Sequence, residues 1–363
     1  MYAACKVLGL KEADEVLTPA FDCDGSLQPF RIIGCKLIFF RSDPYTFNVD
    51  INDIRSKITP KTRLIHIINH FGLPQPWDEI MAFRTETGIP ILEDNAYSLF
   101  SGFGGKPLGA FGDMSVFSLR KELPLISAGM LRVNNPAYAF SLFERQAQII
   151  RFAELAGLFK KACLWIKYHK LGRSIKPLLK LFSLKQKIPP PLYSDKNGWP
   201  EYPLRDKIGR EFSCDYLRPV SGAAIEQLSH YSQDEYTLIM QKRRHYYAFL
   251  VKELSGVRGL EVLWPELPAG VVPFCLSILV HSQRDIFLEN LRSKYEVMAW
   301  PTYPLEVLEN LEDFPEIQIL GRKLLQINLP ADAVRMSFFN AYLRDLLSDL
   351  RKLANRIPYV VST

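Results

Sequence analysis

The chain lacks any run approaching the roughly 18 consecutive apolar residues that a membrane-spanning helix needs. It also lacks paired-cysteine motifs. Its six cysteines (Cys5, Cys23, Cys35, Cys163, Cys214 and Cys275) are scattered, with no CxxC spacing. That distribution argues against a disulfide frame or a zinc site and suits free thiols in a reducing compartment. The six histidines show no metal-ligand spacing either. No internal repeat or low-complexity tract is present, which argues against a repeat architecture. The opening residues, Met1-Tyr2-Ala3-Ala4-Cys5-Lys6, carry no signal-peptide pattern, so a cytoplasmic location is expected.

What is present is enough apolar material for a packed α/β core: 48% of 363 residues, a length that suits two domains or one large domain with an appendage. The net charge of +6 is modest but uneven, because Lys160 to Lys187 holds many Lys and Arg and no acid. Leu164, Trp165, Ile166, Leu171, Ile175, Leu178, Leu179, Leu181 and Phe182 interleave with these cations. Such a stretch could form a basic amphipathic helix pair that rests on a membrane surface or binds an anionic ligand. The plainer reading is an insertion whose apolar face packs on its own domain or on a second subunit. No nucleic-acid partner is expected.

Along residues 1–135, apolar strand-like runs alternate with amphipathic helices. Glu15-Val16-Leu17-Thr18 reads as a strand closed by Pro19, and Leu37 to Phe40 as a second. Asp50 is placed to cap a helix at Ile51, Ile54 and Ile58, with Asp53 favouring its dipole and Pro60 closing it. Leu64 to Ile68 is the next strand; Pro76 opens a helix that Gly88 stops. Strands to Asp94, from Met114 to Leu119, and from Met130 to Val133 follow. Near-continuous apolar strands separated by helices predict an α/β fold with a mostly parallel sheet covered on both faces. Ligands of such sheets sit beyond the carboxyl ends of the strands, where Asp94, Ser118 and Lys121 fall. Residues 136–200 hold the basic insertion and the stiff Pro189-Pro190-Pro191 spacer, and residues 201–255 return to the first domain with a helical region from about Ser221 to Leu254. Residues 256–363 read as a small α/β domain. Its expected strands lie near Leu260–Leu263, Phe274–Val280 and Val297–Trp300, with a last helix from Tyr342 to Ile357.

An acid and a lysine on neighbouring strand ends are what pyridoxal phosphate chemistry needs: the lysine bonds the cofactor and the acid pairs with its protonated ring nitrogen. Taken singly, Asp94 also suits a turn and Lys121 a surface position. The apolar neighbours Leu119, Leu123, Pro124, Leu125 and Ile126 would desolvate the lysine and lower its pKa. The wider segment adds to this. Glu93-Asp94, Gly104-Gly105-Lys106, Leu108-Gly109, Phe111-Gly112-Asp113, Val116-Phe117-Ser118-Leu119-Arg120-Lys121 and Ala128-Gly129 occur in order. So do Asp43-Pro44-Tyr45-Thr46-Phe47-Asn48-Val49-Asp50, Ile58-Thr59-Pro60-Lys61-Thr62, Phe71-Gly72 and Arg243-Arg244.

Together these resemble the DegT/DnrJ/StrS family of pyridoxal-phosphate-dependent sugar aminotransferases, well over residues 1–135 and weakly over 210–250. The resemblance implies a fold type I transferase, with a large domain and a small C-terminal α/β domain. It implies that Lys121 binds the cofactor covalently and moves the substrate proton, that Asp94 pairs with the ring nitrogen, and that Ser118 donates to the cofactor phosphate. Tyr97 stands where the family usually has Gln or His, with its hydroxyl in reach of the cofactor. The implied reaction moves an amino group, typically from glutamate, to a nucleotide-linked keto sugar in polysaccharide or glycan biosynthesis, within a homodimer.

Several positions depart from the family. Its Ser-Gly-Thr phosphate cradle is expected ahead of Met1. Asn69 replaces a histidine, Cys23 an aromatic that stacks on the ring, Asp215 an asparagine, and Ala128 a glycine; Arg218 could offset the charge of Asp215. Three readings therefore stand: a working aminotransferase, an N-terminally incomplete copy, or a catalytically impaired relative serving in dimerisation, sugar-nucleotide binding or assembly at a membrane surface. Arg243 and Arg244 either grip a substrate phosphate or are solvated helix residues.

Overall fold

Strands whose every residue is buried demand cover on both faces, and β1 (Glu15–Pro19), β4 (Ile91–Asn95) and β7 (Met114–Phe117) are of this kind. The computed structural model describes residues 1–123, 125, 128–138, 193–194, 200–201, 220, 222–300, 303–330 and 333–357. The basic stretch 160–187, the Pro189–Pro191 spacer, Asp215 and Arg218 lie outside these residues.

The chain opens with α1 (Tyr2–Val7), β1, α2 (Asp24–Ile33) and β2 (Lys36–Phe40). It continues with α3 (Ile51–Ser56), β3 (Thr62–Ile68), α4 (Trp77–Thr87) and β4. A short ribbon, β5 (Gly102–Phe103) and β6 (Lys106–Pro107), precedes β7, α5 (Leu119–Glu122) and β8 (Met130–Val133). The sheet runs β2-β1-β3-β4-β7-β8; the first five strands are parallel and β8 is antiparallel to β7. The mostly parallel sheet expected from the apolar runs is thus present. Asp50 caps α3 by accepting from the N–H groups of Asn52 and Asp53, and Gly88 ends α4 at φ 68°. The strand expected to reach Leu119 stops at Phe117, because Leu119 already begins α5.

The helical region expected from Ser221 to Leu254 is two helices, α6 (Gly222–Ser229) and α7 (Gln233–Leu254). Ser232 and Glu235 form a reciprocal capping box that starts a new helix inside the run. A four-stranded antiparallel sheet follows, in the order β11-β12-β14-β13, built from β11 (Leu260–Val262), β12 (Cys275–Val280), β13 (Val297–Met298) and β14 (Leu324–Asn328). Helices α8 (Arg284–Arg292), α9 (Leu305–Glu309), α10 (Pro315–Lys323) and α11 (Ala333–Arg356) cover it. The last helix begins at Ala333 rather than Tyr342. The labels β9 and β10 belong to a two-residue pairing, Tyr193–Ser194 with Pro200–Glu201. No helix among the described residues is long and apolar enough to cross a membrane.

The two sheets share their apolar cores. One core joins Phe117, Leu119 and Leu123 to Tyr247 and Leu250 of α7, Ile278 of β12 and Leu346 of α11. Another joins Phe21 and Phe71 to Trp300, Tyr303 and Ile317. The turn after β3 is a seam between them. Phe71 O accepts from Phe274 N at 2.8 Å, and Phe71 and Gly72 both take positive φ, 59° and 90°. A Cβ on Gly72 would lie 2.4 Å from the Val272 carbonyl oxygen. Gly72→Ala should therefore lose about 1–3 kcal/mol of stability to backbone strain alone, read as a lower urea midpoint; an unchanged midpoint would contradict this.

Candidate active site

Side chains alternate along a strand, so Glu93 and Asp94 point to opposite faces of β4. Glu93 is buried and fully supplied with donors. It accepts from Gly109 N at 2.5 Å, Phe111 N and Gly112 N at 3.1 Å, Ser115 Oγ at 3.2 Å and Asn69 Nδ2 at 3.0 Å. It thereby ties the loop that enters β7 to the end of β4. Asn69 itself is structural: Nδ2 also donates to Asn95 Oδ1, and Oδ1 accepts from Gln75 N and Trp77 Nε1.

Asp94 is 6% exposed. Its Oδ1 accepts from Ala96 N at 2.8 Å, and Oδ2 lies 3.5 Å from His66 Nε2. Burial pushes the carboxyl up, but the His66 contact and charge, the Lys121 ammonium and the Ala96 N–H together hold it below the usual carboxylate range. Lys121 lies in α5, the single turn that follows β7, and its N–H donates to Ser118 O at 2.9 Å. Its Nζ sits 3.8 Å above the ring centre of Tyr97. Burial raises the Tyr97 phenol and Lys121 acts against that rise. Asp94, Lys121 and Tyr97 therefore share one electrostatic neighbourhood. Ser118 is half-buried at the start of α5, and its side chain does not cap that turn.

Around this group stand aromatic side chains from both sheets. Tyr97 packs 4.8 Å from Phe274 and 5.8 Å from Phe71, measured between ring centres. His70 is buried against Phe21 at 4.8 Å and Trp300 at 5.8 Å, and its Nδ1 has no hydrogen-bond partner among the described residues. Cys23, expected where a ring would stack, is half-buried at the start of α2.

Residues 1–151 match the DegT/DnrJ/EryC1/StrS aminotransferase family. GDP-perosamine synthase of Escherichia coli O157:H7 is 31% identical over 137 residues, which are 37% of this chain and 38% of that protein's length. The aminotransferase TlmJ from Streptoalloteichus hindustanus superposes over 97% of this chain and 82% of its own, with a TM-score of 0.63 and 19% identity. The E. coli GDP-4-keto-6-deoxy-D-mannose-3-dehydratase with bound hydrated PLP superposes over 95% and 85%, with a TM-score of 0.59 and 19% identity. The chain has the fold of these proteins, fold type I of the pyridoxal-phosphate-dependent aminotransferases.

Within this family fold, Arg243 is neither a phosphate grip nor a solvated helix residue. It is fully buried, ion-paired to Glu122, and it donates to the carbonyls of Glu122 at 3.1 Å and Pro330 at 3.3 Å. Glu122, next to Lys121, also accepts from Leu99 N at 3.3 Å. Arg244 donates to the carbonyl oxygens of Val271 and Pro268. The buried pair fixes the turn that carries Lys121 against α7. Arg243→Met would leave the Glu122 carboxylate buried and unpaired, at a cost of about 3–5 kcal/mol. Denaturant unfolding should show that loss, and adding Glu122→Gln should recover part of it. No recovery in the double variant would contradict the pairing.

Burial pushes the His70 imidazole down to about 3. A free histidine titrates near ~6.5, so the unfolded chain binds this proton first. The stability contributed by neutral His70 is full above that value and is lost as pH falls toward 3. His70→Leu, of similar volume, should lose less stability than wild type between neutral and mildly acidic buffer. Parallel losses in the two proteins would remove this assignment.

Proposed function

We propose that this chain is a pyridoxal-phosphate-dependent aminotransferase that acts on a nucleotide-linked keto sugar. The observation that carries the reading is a buried carboxylate, Asp94, at the end of β4, sharing its surroundings with a lysine, Lys121, in the turn after the neighbouring strand.

The described residues suit the cofactor. Asp94 is buried with one backbone donor and an imidazole 3.5 Å away, a set that leaves room for a further cationic partner. Lys121 Nζ rests on an aromatic face, and among the described residues no carboxylate lies within 4.0 Å of it. Pyridoxal phosphate, when bound, supplies the electron sink for chemistry at the carbon that bears the amino group. Asp94 would keep the ring nitrogen protonated. Lys121 Nζ would hold the cofactor covalently, then take the proton from the substrate carbon and return it. Tyr97 would position that amine, and Ser118 would donate to the phosphate. Phe21, Phe71, Trp300 and Phe274 would exclude water from the transfer.

The family of residues 1–151 and the similarity to GDP-perosamine synthase support a sugar nucleotide as substrate. Glutamate is the amino donor in this reading. A cytoplasmic homodimer in polysaccharide or glycan biosynthesis is its setting, and contact of 160–187 with a membrane surface is a separate possibility to test with anionic vesicles.

The test is direct. Protein incubated with pyridoxal phosphate should turn yellow, and borohydride followed by peptide mapping should place the cofactor on Lys121. Asp94→Asn should keep some binding while turnover falls about 10- to 100-fold, the worth of one charge-assisted hydrogen bond. A Lys121→Ala protein that still yields the reduced adduct at its former peptide would refute the assignment. A chain that takes up no cofactor would instead fit a relative kept for dimerisation or sugar-nucleotide binding.

A further inference from the structure

β3 is apolar on either side of one residue. Ile65 and Ile67 flank His66, which is wholly buried. An isoleucine or leucine at this position would pack without polar atoms, whereas a buried imidazole incurs a free-energy cost unless its nitrogens are satisfied. His66 faces the same side of the sheet as Thr18 on β1 and Asp94 on β4, as the registers Leu17↔Ile65 and Ile68↔Asp94 require. Its Nδ1 lies 2.9 Å from Thr18 Oγ1 and 3.7 Å from Asp22 Oδ2. Thr18 Oγ1 in turn donates to Asp22 Oδ2 at 3.5 Å. On the other side, Nε2 has no short hydrogen bond among the described residues and is aimed at Asp94 Oδ2, 3.5 Å away.

Asp22 is itself 2% exposed and well held. Its Oδ1 accepts from Cys23 N at 2.5 Å and from Ser26 Oγ at 2.6 Å, and its carbonyl accepts from Trp300 Nε1 at 3.1 Å. A row of buried polar side chains, Asp22, Thr18, His66 and Asp94, thus crosses β1, β3 and β4 under the site. Asp94 Oδ1 is fixed by Ala96 N–H, and His66 is the side chain aimed at Oδ2.

We propose that His66 is a positioning residue for Asp94, linking it through Thr18 to a second buried carboxylate, Asp22. The link uses the pattern common to functional histidines, in which one ring nitrogen is held by an oxygen so that the other is presented to its target. Burial raises the Asp22 carboxyl to about 6, and the charge of His66 opposes that rise. The role in catalysis rests on Asp94 acting as argued above; the coupling itself does not.

Selective 15N-histidine labelling gives only six imidazoles to resolve, and the spectrum is taken on the full chain with no cofactor added. His66→Leu assigns the His66 signals by their loss. Asp94→Asn should then shift the Nε2 resonance of His66, and Asp22→Asn its Nδ1 resonance. With pyridoxal phosphate added, His66→Leu should lower kcat about tenfold with little change in KM for the keto sugar. His66→Gln, whose amide can offer a donor to Asp94, should recover most of that loss; it also serves where the leucine variant folds poorly. A His66 signal indifferent to Asp94→Asn overturns the inference, whether or not the cofactor binds. Coupled signals in a chain that takes up no cofactor sustain the link and overturn the proposed activity instead.

Discussion

Two carboxylates, Glu93 and Asp94, stand side by side at the buried end of β4, and a buried carboxylate must be given donors or positive charge. The fold answers this twice. Glu93 takes five donors from the loop before β7, from Ser115 and from Asn69, and the entry into β7 is fixed as a result. Asp94, on the other face, receives one backbone N–H and an imidazole at 3.5 Å. The first is scaffold and the second is left short of partners, in the place where ligands of parallel sheets bind. The position of Lys121 depends on the first, because β7 delivers the turn that carries it.

The C-terminal sheet completes these surroundings. Phe274 and Trp300 come from its strands and their flanks, and Trp300 Nε1 donates to the carbonyl of Asp22. Arg243 of α7 is buried against Glu122 and so holds the Lys121 turn from behind. Among the bonds that join the two parts of the chain, Phe274 N to Phe71 O lies beside Tyr97, against which both rings pack. The apolar core between the two parts and the surroundings of the site therefore share side chains, Phe71 and Trp300 among them.

What could be read from the sequence was local. The Asp50 cap, the Gly88 stop and the apolar strands to Asp94 are each decided by neighbours a few residues away, and they appear where expected. The capping box at Ser232 and Glu235 is equally local, and it divides what the sequence presents as one long helical run. What could not be read depended on distant partners. Arg243 looks like a surface cation on its own helix; its partner is 121 residues away. β14 follows α10 directly, and a short run such as Leu324-Leu325-Gln326-Ile327-Asn328 beside a helix does not announce its type. His66 sits in an apolar strand, and only the register of β1, β3 and β4 sets it between Thr18 and Asp94.

The seat of Lys121 also bears on what the site can do. An ammonium locked to a carboxylate would be held in its charged form and would be slow to act as an amine. Tyr97 offers its ring face instead, at 3.8 Å, and the phenol sits among Phe71, Phe274 and Trp300. A cation over an aromatic ring gains only about 0.5–2 kcal/mol, enough to orient the side chain and little enough to release it. The carboxylate nearest the lysine in sequence, Glu122, is taken up by Arg243 and is not available to compete. Asp94 acts on Lys121 only through space. The lysine is thus oriented by the Tyr97 ring and, among the described residues, kept apart from carboxylates.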